Sequence, residues 1–128
     1  MVVGTGIDIV EVRRIRQAIE RWGERFLRRI FTPGEIRYCR GRPQPEISFA
    51  ARFAAKEAAM KALGRGPGGG VRWKSLEVVN LASGAPEMRT TPALQPLMVG
   101  KRLLISLSHT GNSALALALL MDDGGEET

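Results

Sequence analysis

The chain has 128 residues, 44% of them hydrophobic and 25% charged, with a net charge of +6, the make-up of one soluble domain with a single core. No apolar run approaches the ~20 residues of a membrane span, and the first residues have neither the basic nor the long apolar region of a signal peptide, so a cytoplasmic protein with no membrane contact is expected. One cysteine, Cys39, and one histidine, His109, exclude an internal disulfide and multi-cysteine or multi-histidine metal sites. A metal would then be held mainly by oxygen, which favours Mg²⁺ or a similar hard cation.

Residues 1–10 read as a strand, with Val2, Val3, Ile7, Ile9 and Val10 supplying β-branched side chains. Gly4 and Gly6 interrupt it, which predicts a bulge or a close approach of another backbone. Asp8 lies inside this apolar stretch. If buried, its carboxylate must be paired, hydrogen-bonded or metal-bound; the plainer alternatives are an exposed strand residue or a helix cap.

Residues 11–22 have helical periodicity, with Val12, Ile15, Ile19 and Trp22 as the apolar stripe and Arg13, Arg14, Arg16 and Arg21 mostly off it. Gly23 breaks that helix and residues 24–30 start a second, with Phe26, Leu27 and Ile30 inward. Thr32-Pro33-Gly34-Glu35 is a capping box with Pro at the first helical position, so a third short helix runs to about Arg40. Residues 41–45 form a loop.

The longest helix signal begins at Pro45 or Ser48 and ends at Leu63, where Gly64 stops it. Alanine dominates it, and Ala loses no side-chain entropy on entering a helix. Phe49, Phe53, Met60 and Leu63 share one stripe, with Lys56 among them. Glu57 and Lys61 lie beside that stripe, one turn apart and in line with Ala50 and Ala54, so a carboxylate and an ammonium project from a surface of small side chains that another body can approach. By itself such an i,i+4 pair reads first as an ordinary solvated surface pair.

Residues 64–70 contain five glycines; such a loop wraps phosphates through backbone N–H groups or simply connects. Residues 71–81 read as a strand, residues 83–86 as a turn and residues 87–91 as a short partner strand. Residues 92–99, interrupted by Pro96, are a weak helix or loop. Residues 102–109 and 113–121 are strands joined as a hairpin across Thr110-Gly111-Asn112. One strand, a run of helices and a run of strands is an α+β pattern.

The charge is uneven. Four acids, Asp122, Asp123, Glu126 and Glu127, sit in the tail 122–128, which is expected to be disordered. Residues 13–42 hold ten arginines against three acids. That excess attracts an acidic partner, whether nucleic acid, membrane surface or acidic protein, and arginine suits bidentate pairing with carboxylate or phosphate.

Four segments taken together resemble one family. They are Gly4-Thr5-Gly6-Ile7-Asp8 with the residues that follow to Ile15, Phe31-Thr32-Pro33-Gly34-Glu35, Arg52-Phe53-Ala54-Ala55-Lys56-Glu57-Ala58 with Lys61, and Ser106-Leu107-Ser108-His109-Thr110. In this order and at this length they resemble the holo-(acyl-carrier-protein) synthases, small bacterial 4′-phosphopantetheinyl transferases, over residues 1–121. The resemblance implies a single domain in which an antiparallel sheet packs on the long central helix. It implies Mg²⁺-dependent transfer of the phosphopantetheine arm of coenzyme A to a serine of apo acyl carrier protein, in fatty acid or polyketide synthesis, by a homotrimer with active sites between subunits. By resemblance, Asp8 and Glu57 are metal ligands and, with Lys61, catalytic. Arg52, Lys61, Gly64, Pro86, His109 and Thr110 hold coenzyme A, with His109 reaching in from a neighbouring subunit, and Arg14, Arg21 and Arg25 meet the acidic carrier. Two departures stand out: Ala85 replaces the basic residue common between Gly84 and Pro86, and residues 92–100 lack a clear helix.

The chemistry fits independently of the resemblance. Attack of a hydroxyl on a pyrophosphate needs positioning and charge neutralisation, and Mg²⁺ takes one or two carboxylates with phosphate oxygens and water. A competing class is a non-enzymatic basic module for nucleic acid or an acidic protein. It explains the arginines but not Asp8 with Glu57 and Lys61, and aromatics at 5% leave it without a stacking platform for single strands. No nucleic-acid partner is expected.

Overall fold

The computed structural model describes residues 1–124. Its axis is helix α4 (Pro45–Leu63), with Pro45 in its first turn and Gly64 closing it in the left-handed region at φ 72°. Twelve of its nineteen residues are buried; Ala50, Ala54, Ala55, Ala58 and Ala59 are fully so. Small side chains let neighbours pack directly against its backbone.

Strand β1 (Val2–Glu11) and the last two strands, β4 (Lys101–His109) and β5 (Ser113–Asp122), form an antiparallel sheet in the order β1-β5-β4 that lies on α4. Asp8 pairs with Ala116 and Val10 with Ala114. The period of two in a strand sends Val10, Ala114, Ala116 and Ala118 inward, where all are buried. Ile7 and Ile9, on the other face, are 59% and 67% exposed, and Leu104, Leu115 and Leu117 join them there. The β-branched run therefore does not mark a strand buried on both faces. The expected hairpin is present: Thr110 N–H donates to Ser113 O at 2.8 Å, and Val12 N–H ties the tip to the start of the first helix through Asn112 O at 2.9 Å.

Three short helices precede α4: α1 (Val12–Trp22), α2 (Glu24–Ile30) and α3 (Pro33–Arg40). The capping box forms as expected, with Glu35 N–H donating to Thr32 Oγ1 and Thr32 N–H to Glu35 Oε1. Trp22 departs from its expected place in the apolar stripe; it is 50% exposed, because the last turn of α1 runs beyond the core.

The segment expected as one strand over residues 71–81 is divided. A 3₁₀ turn, Trp73–Ser75, comes first, and only Leu76–Asn80 is strand (β2), paired antiparallel with β3 (Pro86–Thr90) in a separate two-stranded sheet. The turn lets Trp73 stack on Phe53, centroids 5.1 Å apart. Residues 92–99 do form short helix, a 3₁₀ turn and then α5 (Gln95–Met98); Pro96 is tolerated because it sits in the first turn, where its missing N–H has no partner to lose. Of the expected acidic tail, Asp122 ends β5 and Asp123 accepts from Arg102 at 2.6 Å; residues 125–128 lie outside the described residues.

Beneath α4 lies an ion pair with no exposed surface, Lys56 Nζ to Glu35 Oε1 at 2.7 Å. Burial pulls the Lys56 ammonium below its ordinary range, and the Glu35 charge pushes back.

Candidate active site

The site exists because β1 comes very close to α4. A Cβ on Gly6 would stand 1.9 Å from Ala58 O, and one on Gly4 2.1 Å from Ala62 O, so both positions demand glycine for lack of space. The register shifts between Val2 and Gly4; the bulge and the close approach expected of these glycines are both present. The body that approaches the Ala-rich helix face is β1 itself.

Two residues beyond Gly6, Asp8 points the same way, toward α4. Its side chain is only 14% exposed. Lys61 Nζ donates to Asp8 Oδ1 at 3.2 Å and to Ile7 O at 2.8 Å, while Asp8 Oδ2 is buried with no partner. Glu57 is half-buried beside Asp8. Its carboxyl is pushed up to about 7, first by burial, then by the neighbouring Asp8 carboxylate; Lys61 and Arg14 pull the other way. Two carboxyls and an ammonium thus share one half-dry corner. An added cation offsets the repulsion between the carboxyls and gives Oδ2 a partner. Among the described residues no cluster of three or more His, Cys, Asp or Glu exists. The donor set is therefore two carboxylates, which suits a hard ion that fills its remaining positions from phosphate and water.

A cleft of about 410 Å³ opens from this corner, lined by Glu57, Met60, Lys61, Gly64, Pro67 and Trp73 among others. Glu57, Lys61 and Gly64 therefore come together as expected. Arg52 goes elsewhere. It is 4% exposed, its Nη2 donates to Asn80 Oδ1 at 2.6 Å, its guanidinium lies 4.1 Å over the Tyr38 ring, and its Nε has no partner. Asn80 in turn donates to Gly84 O and pairs with Pro86, so Arg52 and Pro86 form a second group around the residue 81–86 turn. No carboxylate among the described residues pairs with Arg52; a buried, unpaired guanidinium invites an anion.

His109 and Thr110 are exposed at the hairpin tip. His109 faces Ala114, which faces Val10, so β5 separates it from β1 by two strand spacings, ~10 Å. One chain does not place His109 beside Asp8. Arg14, Arg21 and Arg25 are exposed on α1 and α2. Arg21 lies 5.1 Å over the Trp22 ring, and Trp22, Arg25, Phe26 and Arg29 line a hollow of about 480 Å³. Cys39 is buried, its thiol pushed up to about 12 chiefly by burial, which makes it inert.

Sequence reasoning missed Asn80, Trp73 and the Glu35–Lys56 pair. The last had a signal: a lysine on an otherwise apolar helical stripe needs a buried carboxylate.

Residues 4–118 match the family model of the 4′-phosphopantetheinyl transferase superfamily. The chain is 52% identical over 126 residues to the holo-(acyl-carrier-protein) synthase of Koribacter versatilis, covering 95% of this chain and all of that protein. It is 44% identical over 119 residues to that of Protochlamydia amoebophila, covering 93% and 98%. Among solved structures it is similar to the Neisseria meningitidis synthase (TM-score 0.87, 34% identity, 94% and 99% covered). It is also similar to the Helicobacter pylori synthase in complex with coenzyme A (TM-score 0.83, 30% identity, 91% and 99% covered).

Proposed function

The chain belongs to the 4′-phosphopantetheinyl transferase superfamily, and from that membership we propose that it is a holo-(acyl-carrier-protein) synthase, which moves the 4′-phosphopantetheine arm of coenzyme A to a serine of apo acyl carrier protein. The serine oxygen attacks the phosphorus that carries the pantetheine arm. The bond from that phosphorus to the other phosphate breaks, and adenosine 3′,5′-bisphosphate leaves. The observation that carries this assignment is Asp8 with an unpartnered buried oxygen beside Glu57, with Lys61 across from it.

Asp8 and Glu57 would hold Mg²⁺. When bound, that ion supplies charge neutralisation on the pyrophosphate oxygens. Glu57 is placed to take the serine proton, directly or through a water. Lys61 neutralises charge that builds on the phosphate side, without crossing the helix to do so. The Arg52 group, with Pro86 and the preceding turn, receives the adenosine end, where Arg52 Nε has a donor to spare. Gly64 borders the pantetheine path. Arg14, Arg21 and Arg25 steer an acidic carrier toward Glu57.

The enzyme works as a homotrimer with its sites between subunits. Two observations support this: the exposed apolar sheet face of Ile7, Ile9, Leu104, Leu115 and Leu117, which an additional subunit would cover, and the separation of His109 from Asp8 within one chain. His109 and Thr110 then serve the neighbouring subunit's coenzyme A. The acceptor is the carrier of fatty acid synthesis, with polyketide carriers as further substrates. A cytoplasmic location fits a chain in which no described helix is long and apolar enough to cross a membrane and whose one thiol is free and buried.

The assay is release of adenosine 3′,5′-bisphosphate from coenzyme A, followed by chromatography. Release that requires both apo carrier and Mg²⁺ supports the assignment. Coenzyme A left intact with several apo carriers overturns it.

A further inference from the structure

The Lys56 ammonium has three protons and places them on three different elements. One goes to Glu35 Oε1 of α3 at 2.7 Å, one to Ile30 O at the end of α2 at 2.8 Å, and one to Trp73 O in the 3₁₀ turn at 3.1 Å. Glu35 is equally committed: Oε1 also accepts from Thr32 N–H at 2.9 Å, and Oε2 from Val78 N–H of β2 at 2.7 Å. Neither group faces the cleft, and neither touches Asp8 or Glu57 in any hydrogen bond among the described residues.

A buried ion pair is a weak source of stability, since an apolar pair of similar volume serves as well or better. What an apolar pair cannot do is hold carbonyl oxygens in place. The carbonyl that matters is that of Trp73. Trp73 forms one wall of the cleft whose other wall carries Glu57 and Lys61. Residues 64–72, which lead to it, contain five glycines, and the chain there is fixed at its start by the Gly64 cap. At its end two residues of α4 one turn apart fix it: Phe53, stacked on the Trp73 ring at 5.1 Å, and Lys56, bonded to the Trp73 carbonyl. Trp73 O also accepts from Leu76 N–H within its own turn. Removing Lys56 therefore leaves that carbonyl satisfied but detached from α4.

We propose that Lys56 is a positioning residue for coenzyme A binding: its ammonium tethers Trp73, and with it the far wall of the cleft, to the helix that carries Glu57 and Lys61. This rests on the transferase assignment above for its ligand, not for the tether itself. Losing the tether widens and loosens the cleft, so it weakens binding of the substrate while leaving the reacting groups on β1 and α4 where they are. A purely structural pair would instead change stability and leave KM alone.

The test compares two variants in a Trp22→Phe background, where Trp73 is the sole fluorophore of its kind. Glu35→Gln keeps an acceptor for Lys56 and is expected to retain the KM for coenzyme A within about twofold. The double variant Lys56→Met/Glu35→Gln removes both charges, keeps an amide oxygen as acceptor for Thr32 N–H, and differs from the first variant only at Lys56. It is expected to fold, to raise the KM for coenzyme A about tenfold or more with kcat within about threefold, and to make Trp73 more accessible to acrylamide quenching. An unchanged KM with unchanged quenching in the double variant overturns the proposal, as does a loss confined to kcat. If the double variant does not fold, Lys56→Gln, whose shorter side chain leaves Trp73 untethered, is judged by the same two readouts. Absence of turnover in the parent protein would sink the transferase assignment, while quenching of Trp73 would still decide the tether.

Discussion

Lys61 Nζ lies 3.2 Å from Asp8 Oδ1 and 2.8 Å from Ile7 O, so helix α4 reaches across to strand β1 and occupies one oxygen of the carboxylate while the other stays free. The lysine does two things in this arrangement. It orients Asp8, and it carries positive charge to the edge of the cleft. Lys61→Met is expected to lower kcat on the order of 100-fold, the scale of losing one electrostatic stabiliser. The fold should persist, because the side chain is more than half exposed; circular dichroism alongside steady-state kinetics checks both.

Gly6→Ala is expected to destabilise the protein by about 1–3 kcal/mol or more, since the new methyl carbon would overlap Ala58 O, a backbone atom of α4. Strand β1 would have to lift from the helix and carry Asp8 with it, so activity should fall beyond what stability explains. Gly111→Ala, with nothing within 4 Å and no positive φ, is the control and should be neutral. Thermal unfolding of the pair decides.

Glu57 gives the metal-free protein a pH dependence of unusual sign. A carboxyl raised from 4.5 to about 7 holds its proton more tightly folded than unfolded, so it favours the folded state at low pH. That contribution is lost as pH rises from about 4.5 through about 7. In EDTA, the unfolding temperature of the parent should therefore fall over this range relative to Glu57→Gln. Mg²⁺ should raise it again at pH 8 and do little at pH 5, where the carboxyl is protonated.

Charge reversal at Arg21 and Arg25 should lower kcat/KM for the carrier about 10- to 100-fold and flatten its salt dependence, with the KM for coenzyme A unchanged. These side chains are exposed, so the fold should tolerate the change.

Ile9→Lys places an ammonium on the apolar sheet face, at a residue 67% exposed in the single chain. Light scattering should show a trimer for the parent and a monomer for the variant, and turnover should fall with assembly, because His109 would no longer reach a neighbour's site.

Much of this was legible in the sequence. The Ala-rich run, the capping box, the hairpin turn and the two glycines of β1 each state a local physical requirement, and each is met where it was expected. Asp8, Glu57 and Lys61 were separately visible. Their convergence was not derivable from spacing, since it depends on a strand and a helix some fifty residues apart packing backbone to backbone; the resemblance to a family supplied it. What stayed hidden was tertiary in the same sense. Lys56 stood on an apolar stripe, yet nothing in the pattern named Glu35 as its partner. Residues 71–81 had strand composition, but stacking of Trp73 on Phe53 broke the strand. Trp22 fitted a helical period that outlasted the core it was assumed to face.

The most direct measurement is the mass of an apo acyl carrier protein after incubation with the purified protein, coenzyme A and Mg²⁺. The expected result is a gain of one phosphopantetheine arm on the carrier, abolished by EDTA and by Asp8→Ala. No gain with any of several apo carriers, or a gain that survives Asp8→Ala, would contradict the role given to the corner between β1 and α4.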